Sequence, residues 1–279
     1  MQIFAIKTPL IKANDNLATI LLHSLEKRIL KPKDGDIIAV SSKAVATAQG
    51  RAVKLDNVSI SKKAKTLAET FSLEPQFAEL IIREAEEIYG GVEKAILTLK
   101  NGVLTVNAGI DHKNALVGYA ALWPLNPQEF AETLRDDMRQ KTGKDVGVLV
   151  VDSGVAPLRM GTRGIALAAA GFKPVRDCRG EKDLFQKPLS VTRHAVADDL
   201  AAAAHLLMGE TDERTPFVLI RKAPVKLTKE KVSPEEMRVP VYEDVYTPLF
   251  DKTLSRQPRN RRLAEPSKLQ PRSPSKTLR

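Results

Sequence analysis

Val146-Gly147-Val148-Leu149-Val150-Val151-Asp152-Ser153 runs six apolar or small residues into an aspartate and a serine. An unbroken apolar run of this length, flanked by turn residues, is the pattern of a buried strand. It places Asp152 at that strand's C-terminal end. Upstream, Pro127 to Lys141 spaces its apolar positions as a helix, with proline in the first turn, where a missing N–H costs nothing, and Gly143 just beyond. Downstream, the alanine-rich stretch Arg163 to Ala170 fits either strand or helix, and Gly171 closes it.

Other elements follow outward from this core. Met1 to Ile6 reads as a first strand, Lys33-Asp34-Gly35 as a turn, and Asp36 to Val40 as a second buried strand leading into Ser41-Ser42-Lys43. Ser59 to Phe71 and Glu74 to Tyr89 carry helical spacing, with Pro75 at the start of the second helix and Gly90-Gly91 as its stop. Ala95 to Leu99 and Val103 to Val106 flank Asn101-Gly102, a strong hairpin signal, so Asn107 to Asp111 lies just past a strand end. Thr192 can cap a helix reaching Met208, with Gly209 as its stop, and Pro216 to Arg221 is a last strand. Single strands, a hairpin and interposed helices in this order indicate a mixed α/β (α+β) fold with a mixed sheet. The strict alternation of a β/α barrel or doubly wound sheet is missing.

Composition narrows the setting. The 279 residues are 43% hydrophobic and only 5% aromatic, so the core rests on Ala, Val, Leu and Ile. No apolar run reaches the ~18 residues of a membrane span, and the N-terminus lacks the order of a signal peptide. The single cysteine, Cys178, excludes an intramolecular disulfide framework and a Cys-based zinc site. These features point to the cytoplasm. The net charge of +10 is concentrated at the end: Asp251 to Arg279 holds nine Lys/Arg against two Asp/Glu, with four prolines. That composition predicts a disordered basic tail after a domain spanning 1–250. The tail can attract nucleic acid electrostatically, but it carries no interleaved aromatics for stacking on bases. A solvated tail is the simpler reading.

Phosphate-binding loops of the Gly-x-x-x-x-Gly-Lys and Gly-x-Gly-x-x-Gly types do not occur, nor does a Gly-x-Ser-x-Gly elbow. The four histidines form no His-x-x-x-His pair; His194 and Asp198 stand four apart and fit a helix-surface contact. Asp111 and Asp152 are more informative. Each follows an apolar strand, where loops carry functional groups off a rigid sheet. A hard divalent cation takes oxygen donors, commonly one or two carboxylates plus water and phosphate. Two strand-end aspartates from neighbouring strands, with the Ser153 hydroxyl, supply that set; capping or turn roles are the alternative. Arg159 and Arg163, among Gly161 and Gly164, can hold phosphate or carboxylate. Ser42 and Lys43 offer a hydroxyl and an ammonium to phosphate.

Taken together, Val106-Asn107-Ala108-Gly109-Ile110-Asp111 with Asn114, Asp152-Ser153, Arg159 with Gly161 and Gly164, Val196 to Ala201 and Leu207-Met208-Gly209-Glu210 resemble the coenzyme F-420-0:L-glutamate ligase family. The resemblance runs from Thr8 to Arg221. It implies the mixed α/β fold peculiar to that family, an intertwined homodimer, and small-molecule substrates. Thr8, Pro9, Leu10, Ile11, Ser42, Lys43 and Asn114 would then fall in a guanine-nucleotide site, which the stretch Leu207, Met208, Gly209, Glu210 would close. Asp111 and Asp152 would ligate one Mg²⁺ or Mn²⁺ ion and Ser153 a second, with Glu210 a further candidate. GTP would phosphorylate an acceptor carboxylate, and the amine of glutamate would attack the acyl phosphate. Arg159 would assist charge neutralisation, and Asp183 or Asp198 would act as base. Three departures concern the surroundings: Thr47 replaces a frequent lysine, Val155-Ala156-Pro157-Leu158-Arg159 replaces Gly-Arg-Pro-Trp-Arg, and Phe185-Gln186-Lys187 replaces Tyr-Gly-Arg. They leave open a folate acceptor or a non-catalytic nucleotide-binding relative.

Overall fold

The computed structural model describes residues 1–112 and 116–246. Along the chain it forms β1 (Gln2–Ile6), α1 (Leu17–Lys27), β2 (Ile37–Ser41), α2 (Ser42–Ala48), β3 (Ala52–Lys54), α3 (Lys62–Phe71) and α4 (Pro75–Glu84). Then follow β4 (Glu87–Val92), β5 (Ala95–Lys100), β6 (Val103–Val106), β7 (Tyr119–Ala121) and α5 (Pro127–Thr142). The remainder is β8 (Gly147–Gly154), β9 (Arg163–Ala170), β10 (Arg176–Asp177), β11 (Arg193–His194), α6 (Val196–Met208) and β12 (Phe217–Arg221). These lie in a first unit, Met1–Arg238; a second unit, Val239–Arg279, is described as far as 246 and holds a 3₁₀ turn at Val241–Glu243. The basic stretch 251–279 lies outside the described residues.

The main sheet has the order β1-β12-β2-β8-β9. Only β2 and β8 pair in parallel; the other three pairings are antiparallel. The expected mixed sheet is therefore present. Successive side chains of a strand point to opposite faces, and both faces here are covered. Ile38, Val40, Val148, Val150, Phe217 and Leu219 pack with Leu21 and Leu25 of α1 and Leu134 and Met138 of α5. Ile37, Ala39, Leu149, Val151, Val218 and Ile220 pack with Val196, Leu200 and Ala204 of α6. The double covering explains why β2 and β8 read as unbroken apolar runs.

Residues between β3 and β7 build a smaller module on a separate core of Leu55, Phe77, Leu80, Ile81, Ile96 and Ile110. Its sheet is β4-β5-β6. Asn101 and Gly102 both take positive φ, as a tight two-residue hairpin turn with the strands' own twist requires.

Four local expectations are corrected. The helix from Glu74 stops at Glu84, and Glu87 to Val92 is a strand paired with β5. Gly90-Gly91 is not a helix stop: the register shifts between Ile88 and Gly90, and a side chain at Gly91 would strike the Ala95 carbonyl at 2.2 Å. Thr192 does not cap α6. Arg193 and His194 pair with β10 first, and Ala195 holds the cap position without a side-chain bond. His194 meets Asp199 rather than Asp198. Arg163 to Ala170 resolves as a strand, because it pairs along β8.

Asp36, 1% exposed, enters β2 and accepts two bonds from Arg221 of β12, at 2.9 Å and 2.7 Å. Removing one partner of a buried ion pair leaves an uncompensated charge. Arg221→Met is expected to destabilise the fold by about 3–5 kcal/mol, read as a lower urea midpoint with an unchanged slope.

Candidate active site

Pairing directions put the C-terminal ends of β1, β2 and β8 at one edge of the main sheet, where β12 begins. Ligand crevices of open α/β sheets form outside such strand ends. An open cleft of about 370 Å³ lies there. One wall is the segment after β1, Thr8 to Ile11; the other is Met208 to Pro216, between α6 and β12. Ser41, Lys43, Ala44 and Thr47 contribute from the β2–α2 junction, and Val151, Asp152 and Ser153 from β8. The two walls are tied together: the Thr8 amide donates to the Arg214 carbonyl at 3.1 Å.

Asp152 forms the floor and is 8% exposed. In the parallel register Ser41 stands beside Val151, so the next residue, Ser42, reaches the aspartate. Its hydroxyl donates to Asp152 Oδ1 at 2.7 Å, and the Trp123 indole N–H donates to Oδ2 at 2.6 Å. Burial pushes this carboxyl above the ordinary carboxylate range; bonds from Ser42, Trp123 and the Ser153 backbone and the charge of Lys43 pull the other way. With the folded value raised, the group's contribution to stability is present below its unfolded pKa and lost as pH rises through the folded value. An ionised Asp152 is thus a cost at neutral pH that a bound cation would offset.

Asp111 is not on a strand neighbouring Asp152, as the sequence pattern suggested. It follows β6 in the smaller module, where Asn107, Ala108 and Gly109 take three successive left-handed conformations. Such backbone is costly for alanine and is held by local bonds. Asn107 accepts from the Ile96 amide at 2.8 Å, and the Ala108 amide donates to the Thr98 hydroxyl at 2.8 Å. Asp111 then bridges Ala121, and its side chain meets the Lys43 ammonium at 2.6 Å. Lys43 therefore links the two aspartates, bonded to one and acting through its charge on the other.

Of the residues singled out from sequence, Thr8 to Ile11, Lys43, Asp152, Ser153, Met208, Gly209 and Glu210 all line the cleft. Ser42 lies beneath it, and Asp111 reaches it through Lys43. Leu207 packs against the sheet instead, its carbonyl accepting from Thr215. Arg159 is exposed in the loop after β8 and does not line the cleft. Asp183 accepts from the Phe185 and Lys187 amides in its own turn, and Asp198 accepts from the Ala166 amide of β9. Neither faces the cleft. Asn114 lies outside the described residues. Sequence reasoning missed Trp123, His205 and the wall from Thr211 to Pro216. A lone tryptophan two residues past a short strand gives no local sign of its partner.

Among the described residues the lining holds four carboxylates, Asp152, Glu210, Asp212 and Glu213, against Lys43, Arg214 and the imidazole of His205. Glu210 is occupied, bonded by His205 Nε2 at 2.9 Å and by the Thr162 hydroxyl. Among the described residues no three His, Cys, Asp or Glu side chains converge as a ready metal cluster. Asp152 and Ser153 nevertheless offer hard oxygens, the chemistry that suits Mg²⁺ or Mn²⁺ completed by water and phosphate.

A family sequence model described as F420-0:Gamma-glutamyl ligase matches residues 5–222. The chain is 38% identical over 212 residues to a coenzyme F420:L-glutamate ligase of Methanopyrus kandleri, covering 76% of this chain and 82% of that protein. It is 36% identical over 217 residues to the ligase of the same name from Methanothermobacter thermautotrophicus, covering 77% and 86%. The same-named protein of Archaeoglobus fulgidus is 36% identical over 222 residues, covering 79% and 87%.

Gly109 is a direct test of this geometry. A side-chain carbon there would fall 2.0 Å from Trp123 Nε1, at a backbone φ of 69°. Gly109→Ala is expected to cost about 1–3 kcal/mol through overpacking, read by thermal unfolding. It should also shift the emission of Trp123, the chain's one tryptophan.

Proposed function

The chain belongs to the F420-0:gamma-glutamyl ligase family, and from that premise we propose that it joins L-glutamate to a carboxylate of F420-0, or of a related glutamylated cofactor, at the expense of GTP. The observation that carries this reading is the acid-rich cleft over a buried carboxylate. A nucleotide triphosphate is a polyanion, and four carboxylates repel it unless cations enter with it. Asp111, Asp152 and Ser153 would hold two divalent cations, with Glu210 a further donor. Bound there, the cations would neutralise charge on the transferring phosphoryl group.

The chain's own groups do the rest. Thr8 to Ile11 and Met208 to Glu210 clamp the nucleotide between the two walls. Lys43, already at the cleft surface, sets its ammonium against phosphate oxygens. The acceptor carboxylate attacks the terminal phosphorus of GTP, GDP leaves, and an acyl phosphate forms. The free amine of glutamate then attacks the acyl carbon; phosphate departs with the bonding pair, and the amine loses a proton. Activation is needed because a carboxylate is a poor electrophile at neutral pH.

A second reading rests on Thr47. It stands on the cleft wall where the family resemblance would put a lysine, and its hydroxyl is turned to the Lys43 carbonyl at 2.7 Å. One cation fewer beside the nucleotide favours a binder without turnover. Calorimetry with GTP and Mg²⁺, run beside a turnover assay, separates the two.

Purified protein with Mn²⁺ or Mg²⁺, GTP, glutamate and F420-0 is expected to release phosphate and yield a glutamylated product, and chelation by EDTA to stop both. Absence of product with F420-0 and with tetrahydrofolate alike would remove the ligase reading. Asp152→Asn is expected to lower kcat by about 100-fold or more, as loss of a charge aimed at the transition state does. Retained turnover would overturn the assignment of Asp152.

A further inference from the structure

Ala121 and Trp123, two residues apart, each hold one of the two aspartates. The Asp111 amide donates to the Ala121 carbonyl at 3.0 Å, and the Ala121 amide returns a bond to the Asp111 carbonyl at 2.8 Å. Trp123 reaches the other way, its indole N–H 2.6 Å from Asp152 Oδ2. Asp111 belongs to the small module and Asp152 to the main sheet, so this short segment spans the two. We infer that Trp123 is a positioning residue that fixes the Asp152 carboxylate toward the cleft, and that Ala121 to Trp123 sets the placement of Asp111 relative to Asp152.

The segment is itself braced. Ala121 pairs with Ala52 of β3, the Leu122 amide donates to the Arg51 carbonyl at 3.1 Å, and Arg51 Nε donates to the Trp123 carbonyl at 3.1 Å. Behind it Glu84 accepts from both Arg51 and Lys100. The Lys100 ammonium lies 5.7 Å from the centre of the Trp123 ring, a cation–π approach in a buried setting. On its edge the ring abuts Gly109, where only a missing side chain leaves room. The indole therefore has one orientation available.

This orientation matters to a ligand of Asp152. Ser42 occupies one lone pair of Oδ1 and Trp123 one of Oδ2, and the Ser153 backbone donates as well, so the carboxylate keeps part of its acceptor capacity for a ligand. Rotating the carboxylate would strand a buried indole N–H, which costs more than an ordinary hydrogen bond contributes. The free lone pairs are thus pre-aimed, and a cation need not order them on binding. The inference rests on the reading of Asp111 and Asp152 as cation ligands, and its test is separable from that reading.

Trp123→Phe deletes the donor and keeps an aromatic ring; the smaller side chain also leaves a buried void, so thermal unfolding is followed beside it. Binding of Mn²⁺ alone, followed by electron paramagnetic resonance of the free ion, is expected to weaken by about tenfold or more, the scale of lost outer-shell bonds at metal sites. Far-UV dichroism should stay at the wild-type value. The single tryptophan gives a second readout that needs no variant to fold. Its indole ¹⁵N–¹H cross-peak in wild type is expected to move on addition of Mg²⁺ alone. Wild-type Mn²⁺ affinity in Trp123→Phe, or an indole peak unmoved by saturating Mg²⁺, would overturn the inference. Wild-type protein that binds no Mn²⁺ would instead overturn the cation reading beneath it, and shows itself before any substitution is made.

Discussion

A carboxylate taken out of water must be supplied with donors, and Asp152 draws its two side-chain donors from different parts of the fold. Ser42 comes from the start of α2, carried there by the parallel register of β2 and β8. Trp123 comes from the end of the small module, past β7. Neither donor can be withdrawn without orphaning a buried polar group, and the Trp123 bond fastens the module to the main sheet. The left-handed turn at Asn107 to Gly109, the glycine against the indole and the Arg51–Glu84–Lys100 cluster all serve the placement of that one ring.

The same constraint shapes the cleft above. With β1, β2 and β8 ending together, three chain segments converge on one edge, and the loop from α6 into β12 closes it. Gly209 permits the close turn under Glu213, whose carboxylate caps the Thr211 amide at 2.9 Å. Thr215 ties the loop back to the last carbonyls of α6. The wall is therefore ordered by its own short-range bonds, while its charge is negative. A site that is rigid and acid-rich suits an anionic substrate only in the company of cations, which connects the electrostatics of the cleft to the chemistry proposed for it.

Much of this was legible residue by residue. The Asn101-Gly102 hairpin, the helix opened by Pro127 and closed by Gly143, and the stop at Gly209 are set by backbone preferences that act within a few residues. The apolar runs of β2 and β8 announced strands covered on both faces. Where local signals competed, they misled. Helical spacing from Glu74 extended through residues that pair with β5 instead, and Thr192 looked like a cap although Arg193 and His194 bond to β10. In both places a strand partner distant in sequence outweighed the local pattern.

The sequence alone determined many of the elements and the two aspartate segments, because strand ends, turns and helix stops are properties of short stretches of chain; the wall residues Thr8 to Ile11 and Met208 to Glu210 were named only through the family resemblance. Only the tertiary structure decided that Asp111 and Asp152 arrive from different sheets, that Lys43 joins them, and that Trp123 holds the deeper one. It also turned Arg159, Asp183 and Asp198 away from the cleft, the last two into backbone caps. Apart from the local turn that Asp183 caps, those outcomes depend on which strand lies beside which, and on buried polar groups finding their partners. Such choices are made across 29 to 110 residues of separation, a range at which no local preference operates.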